Sequence, residues 1–169
     1  KMFGVPKSVN ILNKINSYYS KDKNRNKYRV VITPPYTLIE SYSRYFKNKR
    51  ISIGSQNCYQ KEQFSSNTAA ISPYMLKSVG AKYTLVGHSD NREEGDTNVM
   101  LKNKVRYALK HKLKVVFCIG ENKKEKTNKR TFFVLKKQLT KVLEKKFNKN
   151  NLIVAYEPIW SIGTGKIPT

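Results

Sequence analysis

Acidic residues are scarce: 11 Asp and Glu stand against 34 Lys and Arg, a formal net charge of +23 over 169 residues. Such an imbalance raises nucleic acid as a partner. The lysines, however, are spread from Lys1 to Lys166, mixed with Asn and Tyr and with few arginines. A nucleic-acid site gathers arginine and aromatics on one face, so the dispersed pattern reads as a solvated Lys/Asn-rich surface shaped by codon bias, and no nucleic-acid partner is expected. A positive field of this kind would still steer an anionic small substrate. Long apolar runs are missing too: no stretch of eighteen apolar residues and no signal-like segment occurs, so no membrane span is expected. The only two cysteines, Cys58 and Cys118, lie far apart beside apolar sequence, which favours reduced, buried thiols in a reducing compartment over a disulfide. No His/Cys/carboxylate cluster has ligand spacing, and no metal or other cofactor is expected.

What is present suits one domain spanning 1–169, since 38% hydrophobic residues suffice for a core at this length. The chain opens with KMFG, and apolar residues spaced by three and four from Pro6 to Tyr19 predict a helix starting near Pro6. Residues 28–33 (YRVVIT) read as a strand stopped by Pro34 and Pro35, a second helix starts at Thr37 and runs through Phe46, and 51–55 form the next strand. A long polar loop covers 56–70. Ser72 and Pro73 open a helix that Gly80 closes, and 83–87 is a strand delivering His88 at its tip. Asp90 and Glu93 have capping-box spacing, and one helix is expected from there to His111. Residues 114–119 (KVVFCI) form a strand; Phe132, Phe133, Leu135, Leu139, Val142, Leu143 and Phe147 predict a buried helix face; and 152–155 (LIVA) read as a strand buried on both faces. Strand and helix alternate, which predicts a parallel sheet whose strand tips carry function.

Two titratable side chains occupy such tips, His88 and Glu157. Pro158 biases Glu157 toward extended geometry. Beyond it lie an apolar segment, Ile159, Trp160, Ser161 and Ile162, and permissive backbone at Gly163, Thr164 and Gly165, a combination suited to a lid that excludes water. A P-loop reading of GTGK fails on spacing, because Trp160 stands where the first glycine belongs and Ile167 where Ser or Thr would bind magnesium.

The stretch AYEPIWSIGTGK resembles the catalytic strand and flexible loop of the triosephosphate isomerase family, and VGHSDNREEGDTN resembles that family's histidine segment. The resemblance extends over nearly the whole chain. It implies an α/β fold, a TIM (β/α)8 barrel incomplete in this chain: most of the first strand and the last two strand-helix units have no counterpart, and the working polypeptide is expected to be longer by about that much. It implies that Glu157 is the base moving a proton between adjacent carbons, and that His88 acts as a neutral acid on the substrate oxygens. Lys1 matches the lysine whose ammonium faces the enediolate and phosphate, Gly163 the loop glycine whose N–H meets the phosphate, and Trp160 the lid. Departures are Asp90 for the family's Glu, Asn91 for Arg, Phe3 for Asn, and Lys166, Ile167 and Pro168 in place of the usual hinge. Gln56, Asn57, Cys58, Cys118 and Glu121 are read as scaffold.

The expected function is interconversion of dihydroxyacetone phosphate and glyceraldehyde 3-phosphate. The alternative is a barrel relative that has lost catalysis and serves as a binding or scaffold protein. The family also implies a homodimer through the 60–70 loop, with Thr68 near the partner's Lys1, and a cytoplasmic location, with an organelle such as a plastid as alternative. The loop's usual Glu and its Arg partner are both absent here, at Ala70 and Asn91, so a looser dimer is expected: removing both charges avoids stranding one in the interface.

Overall fold

A computed structural model describes residues 1–147 and 149–168. Its elements alternate as expected: α1 (Val9–Lys21), β1 (Val31–Ile32), α2 (Tyr36–Tyr45), β2 (Ser52–Ser55), α3 (Pro73–Ser78), β3 (Tyr83–Val86), α4 (Ser89–Glu93), α5 (Asn98–Lys110), β4 (Lys114–Ile119), α6 (Lys123–Thr127), α7 (Thr131–Val142) and β5 (Leu152–Tyr156). All four strand pairings are parallel, and the sheet order β1-β2-β3-β4-β5 follows the chain. Each crossover therefore steps to the same side, the winding of a barrel rather than of a doubly wound sheet, whose order reverses. The result is a curled, incomplete barrel. Among the described residues no helix is long and apolar enough to cross a membrane.

The core lies between sheet and helices. Leu38, Ile39 and Tyr42 of α2, Leu101, Val105 and Ala108 of α5 and Val142 of α7 close over Ile53, Val86, Val115, Phe117 and Ile119. Burying each large side chain contributes about 1.5–3 kcal/mol. On this helix-facing side neighbouring strands also meet through a polar pair: Ser55 Oγ donates to Thr84 Oγ1 at 2.8 Å, both fully buried. Cys58 and Cys118 are buried free thiols.

Several expectations need correction. The 152–155 strand is not covered on both faces among the described residues: Ile153 and Val154 are 48% and 47% exposed, and β5 pairs there with β4 alone. At the opposite edge the 28–33 strand shrinks to Val31 and Ile32. The helix expected from Asp90 to His111 is two helices, broken where Gly95 takes φ +112° and Thr97 recaps the chain by accepting from Met100 N. The Asp90/Glu93 capping box gives way to His88, whose side chain caps α4. Phe132 and Phe133 are 89% and 56% exposed, so the expected apolar face begins only at Leu135 and runs through Leu139 and Val142 to Leu143 and Phe147.

Candidate active site

Parallel pairing brings the C-terminal tips of β3, β4 and β5 side by side, and the next residues of each strand form the site. The β4–β5 register pairs Ile119 with Tyr156, which sets Gly120 beside Glu157. Glu157 N–H donates to Ile119 O at 2.8 Å and Ile159 N–H donates to Glu121 O at 3.0 Å, fixing the backbone on both sides of the carboxylate. Gly120 is required by this approach. A β-carbon there would lie 2.0 Å from the carbonyl oxygen of Glu157. The glycine is itself clamped by Gln138, whose Oε1 accepts from Gly120 N–H and whose Nε2 donates to Gly120 O, both at 2.9 Å.

His88 follows β3. Its Nδ1 accepts the backbone N–H of Asp90 at 3.2 Å, so the neutral ring carries its proton on Nε2. That nitrogen stands 3.2 Å from Glu157 Oε2. The general-acid and general-base candidates are thus already in contact, with the N–H directed away from α4. Arg92 secures the turn beneath them: its Nε donates to Gly87 O at 2.7 Å and an Nη donates to Cys118 O at 3.1 Å, tying β3 to β4. Burial pulls the Arg92 guanidinium below its ordinary pKa.

Lys1 reaches the same end of the sheet. Its Nζ donates to Asp90 Oδ2 at 2.5 Å, both side chains being about half exposed. The hydrogen bond from Lys1 holds the Asp90 carboxyl below the usual carboxylate range. Gln56 holds the Lys1 backbone, its Nε2 donating to Lys1 O at 2.9 Å and Thr33 O at 3.0 Å. Lys1, Gln56, His88, Asp90 and Asn91 line one cleft of about 730 Å³, large enough for a small ligand. Glu157 borders the adjoining crevice with Arg92, Cys118 and Gly120, joined to that cleft through His88.

The apolar segment after Glu157 is tied down rather than free. Trp160 Nε1 donates to Glu121 Oε1 at 2.9 Å, Tyr156 Oη donates to both Glu121 oxygens at 3.1–3.2 Å, and Thr131 Oγ1 donates to the same carboxylate at 3.2 Å. Glu121 is only 1% exposed, and these donors are what allow a carboxylate to stay there. Burial and the neighbouring Glu121 push the Tyr156 phenol above its ordinary pKa. Lys126 Nζ sits 3.2 Å above the Trp160 ring centroid, a cation–π contact.

Of the residues singled out from sequence, the fold brings together Lys1, His88, Asp90 and Glu157. Gly163 lines neither crevice, has φ +68°, and has open space around its α-carbon; Trp160 is held against Glu121. Thr68 is exposed on the long loop, whose ends close through a bond from Tyr59 N–H to Ile71 O at 2.8 Å. Sequence reasoning missed the clamps Gly120–Gln138 and Arg92–Gly87, and a buried ion pair, Lys104 Nζ on both Asp96 oxygens at 2.6 and 2.7 Å and on Asn57 Oδ1 at 3.1 Å. No spacing in the sequence marked that pair, since Asp96 precedes the N-cap Thr97 and lies off the helix that carries Lys104.

The sequence profile of the family described as triosephosphate isomerase matches residues 1–169. A triosephosphate isomerase of Leptospira biflexa is 38% identical over 145 residues, covering 84% of this chain and 58% of the relative. That of Dictyoglomus thermophilum is 34% identical over 154 residues, covering 89% and 61%. The crystal structure of triosephosphate isomerase from Bartonella henselae superposes with a TM-score of 0.87 at 30% identity, covering 95% of this chain and 65% of that one. The chain thus spans about 58–61% of the length of these curated relatives. With the family profile matching residues 1–169, relatives at 34–38% identity and a structure superposing at a TM-score of 0.87, this chain belongs to the triosephosphate isomerase family.

Proposed function

We propose that the protein of which these residues form the catalytic side interconverts dihydroxyacetone phosphate and glyceraldehyde 3-phosphate. The observation that carries this is the 3.2 Å contact between Glu157 Oε2 and His88 Nε2, with the histidine's other nitrogen occupied by a backbone N–H. A substrate entering between the two takes over both partners. Glu157 removes the proton from one carbon and returns it to its neighbour; His88 donates its Nε2 proton to one substrate oxygen and recovers a proton from the other, so no proton is gained or lost overall. Lys1 offsets the charge of the intervening enediolate, and its pairing with Asp90 sets where that charge stands. The 159–166 segment serves as the lid. Its closure exchanges the Trp160–Glu121 bond for contact of Gly163 N–H with the phosphate.

Replacing Glu157 by Gln removes the base and leaves the shape. It should lower kcat by about 10²–10⁴-fold in a coupled isomerase assay on the intact protein, with an unchanged circular dichroism spectrum. Wild-type turnover in that variant would refute the assignment.

The exposed 60–70 loop is proposed as the contact of a homodimer, weakened because Ala70 and Asn91 carry no charge pair; sedimentation over a dilution series tests this, and a dimer persisting at picomolar concentration would overturn the weakening. Two buried free thiols fit a reducing compartment such as the cytoplasm, where the reaction would serve glycolysis or gluconeogenesis.

A further inference from the structure

A second cavity lies at the opposite end of the strands from Glu157 and His88. It has a volume of about 300 Å³ and is lined by Glu40, Ser43 and Arg44 of α2, by Phe46, Lys47, Ile51 and Ile53 leading into β2, and by Ser78, Val79, Gly80 and Lys82 between α3 and β3. All of these fall between residues 40 and 82, and β2 is paired on both sides, so the cavity is not a by-product of an open sheet edge. Its floor is apolar: Phe46, Ile51 and Ile53 are 2%, 1% and 2% exposed. Its rim is basic. Arg44 is already engaged by Glu40, whereas Lys47 and Lys82 make no ion pair among the described residues. Ser43 in its wall holds a buried Oγ with no hydrogen-bond partner. An unmet buried hydroxyl is uncommon in a folded protein and costs stability unless something takes it up.

We infer that this cavity is a binding site for a small amphipathic anion, an aromatic or aliphatic body carrying one carboxylate, sulfonate or phosphate. The body lies against Val79, Gly80 and the stems of Arg44 and Lys47, the head group meets Lys47 and Lys82, and Ser43, on turning its hydroxyl toward the cavity, supplies a hydrogen bond. An apolar pocket with a few convergent polar groups, at the small end of the usual ligand-site range, fits such a molecule. No residue of the isomerase site takes part, so the inference stands or falls apart from the proposed reaction.

Naphthalene-2-sulfonate serves as the probe, titrated into the ¹⁵N-labelled intact protein. Saturable amide shifts are expected at Ser43, Lys47, Val79 and Lys82, with none at His88 or Glu157. Ser78→Trp, which fills the mouth, and the pair Lys47→Glu with Lys82→Glu should each weaken binding at least tenfold while leaving isomerase turnover unchanged. The uncharged analogue naphthalene-2-methanol should bind at least tenfold more weakly than the sulfonate. Absence of saturable shifts at millimolar probe, shifts centred elsewhere, or undiminished affinity in the charge-reversed variant would overturn the proposal; the last of these decides the matter even if Ser78→Trp fails to fold.

Discussion

Replacing Gly120 by Ala tests whether the seat of Glu157, and not only its chemistry, matters. A β-carbon at residue 120 falls 2.0 Å from the Glu157 carbonyl oxygen and 2.8 Å from its carbonyl carbon, where real contacts stay above 3.0 Å, so the structure must absorb at least 1.0 Å. The obstacle is backbone and no rotamer relieves it. Gly120 is held on its own side by both Gln138 bonds, so the Glu157 side is the one that yields. Glu157 then withdraws from His88, and their 3.2 Å contact lengthens beyond hydrogen-bonding distance. A misplacement of about 1 Å costs on the order of 10²-fold in rate, which corresponds to about 2.7 kcal/mol of transition-state stabilisation. The expected result is a fall of that size in kcat/KM for the intact protein, with secondary structure retained and a crystal structure showing Glu157 displaced. A variant within threefold of wild type, or one whose Glu157–His88 distance is unchanged, would refute the reasoning.

Lys104→Met leaves the Asp96 carboxylate, 7% exposed, without its cation and should cost about 3–5 kcal/mol in urea unfolding, whereas Lys104→Met combined with Asp96→Leu should recover much of that loss. Strict additivity of the two substitutions would contradict the pairing. Burial pushes the thiols of Cys58 and Cys118 up to about 12 and about 11, so both should resist Ellman's reagent in the native state and react together on unfolding. Because an unfolded thiol titrates near 8.5, the native chain holds the extra protons above that value; the stabilisation is complete below about pH 8.5 and declines as pH rises toward the native values. Unfolding free energy that stays level from pH 8.5 to 11 would argue against this.

The alternation of strands and helices, the placement of His88 and Glu157 at strand tips, and the family were all legible in the sequence. Apolar periodicity reports which residues leave water, and short motifs keep their order along the chain. Covering of a strand is different in kind. Ile153 and Val154 read as buried on both faces because composition registers apolarity and not neighbours, and among the described residues β5 has a strand on one side only. Phe132 and Phe133 misled for the same reason: helical spacing names a face, and only packing decides how far that face extends. The break at Gly95 was hidden because a capping pattern at Asp90 and an apolar pattern from Val99 join smoothly on paper. What depended on the tertiary structure was every relation across the sheet: His88 against Glu157, Gly120 under the Glu157 carbonyl, Lys1 on Asp90, and Trp160 on Glu121. Partners separated by dozens of residues meet only when parallel register sets strand tips level, and that register is a property of the assembled sheet.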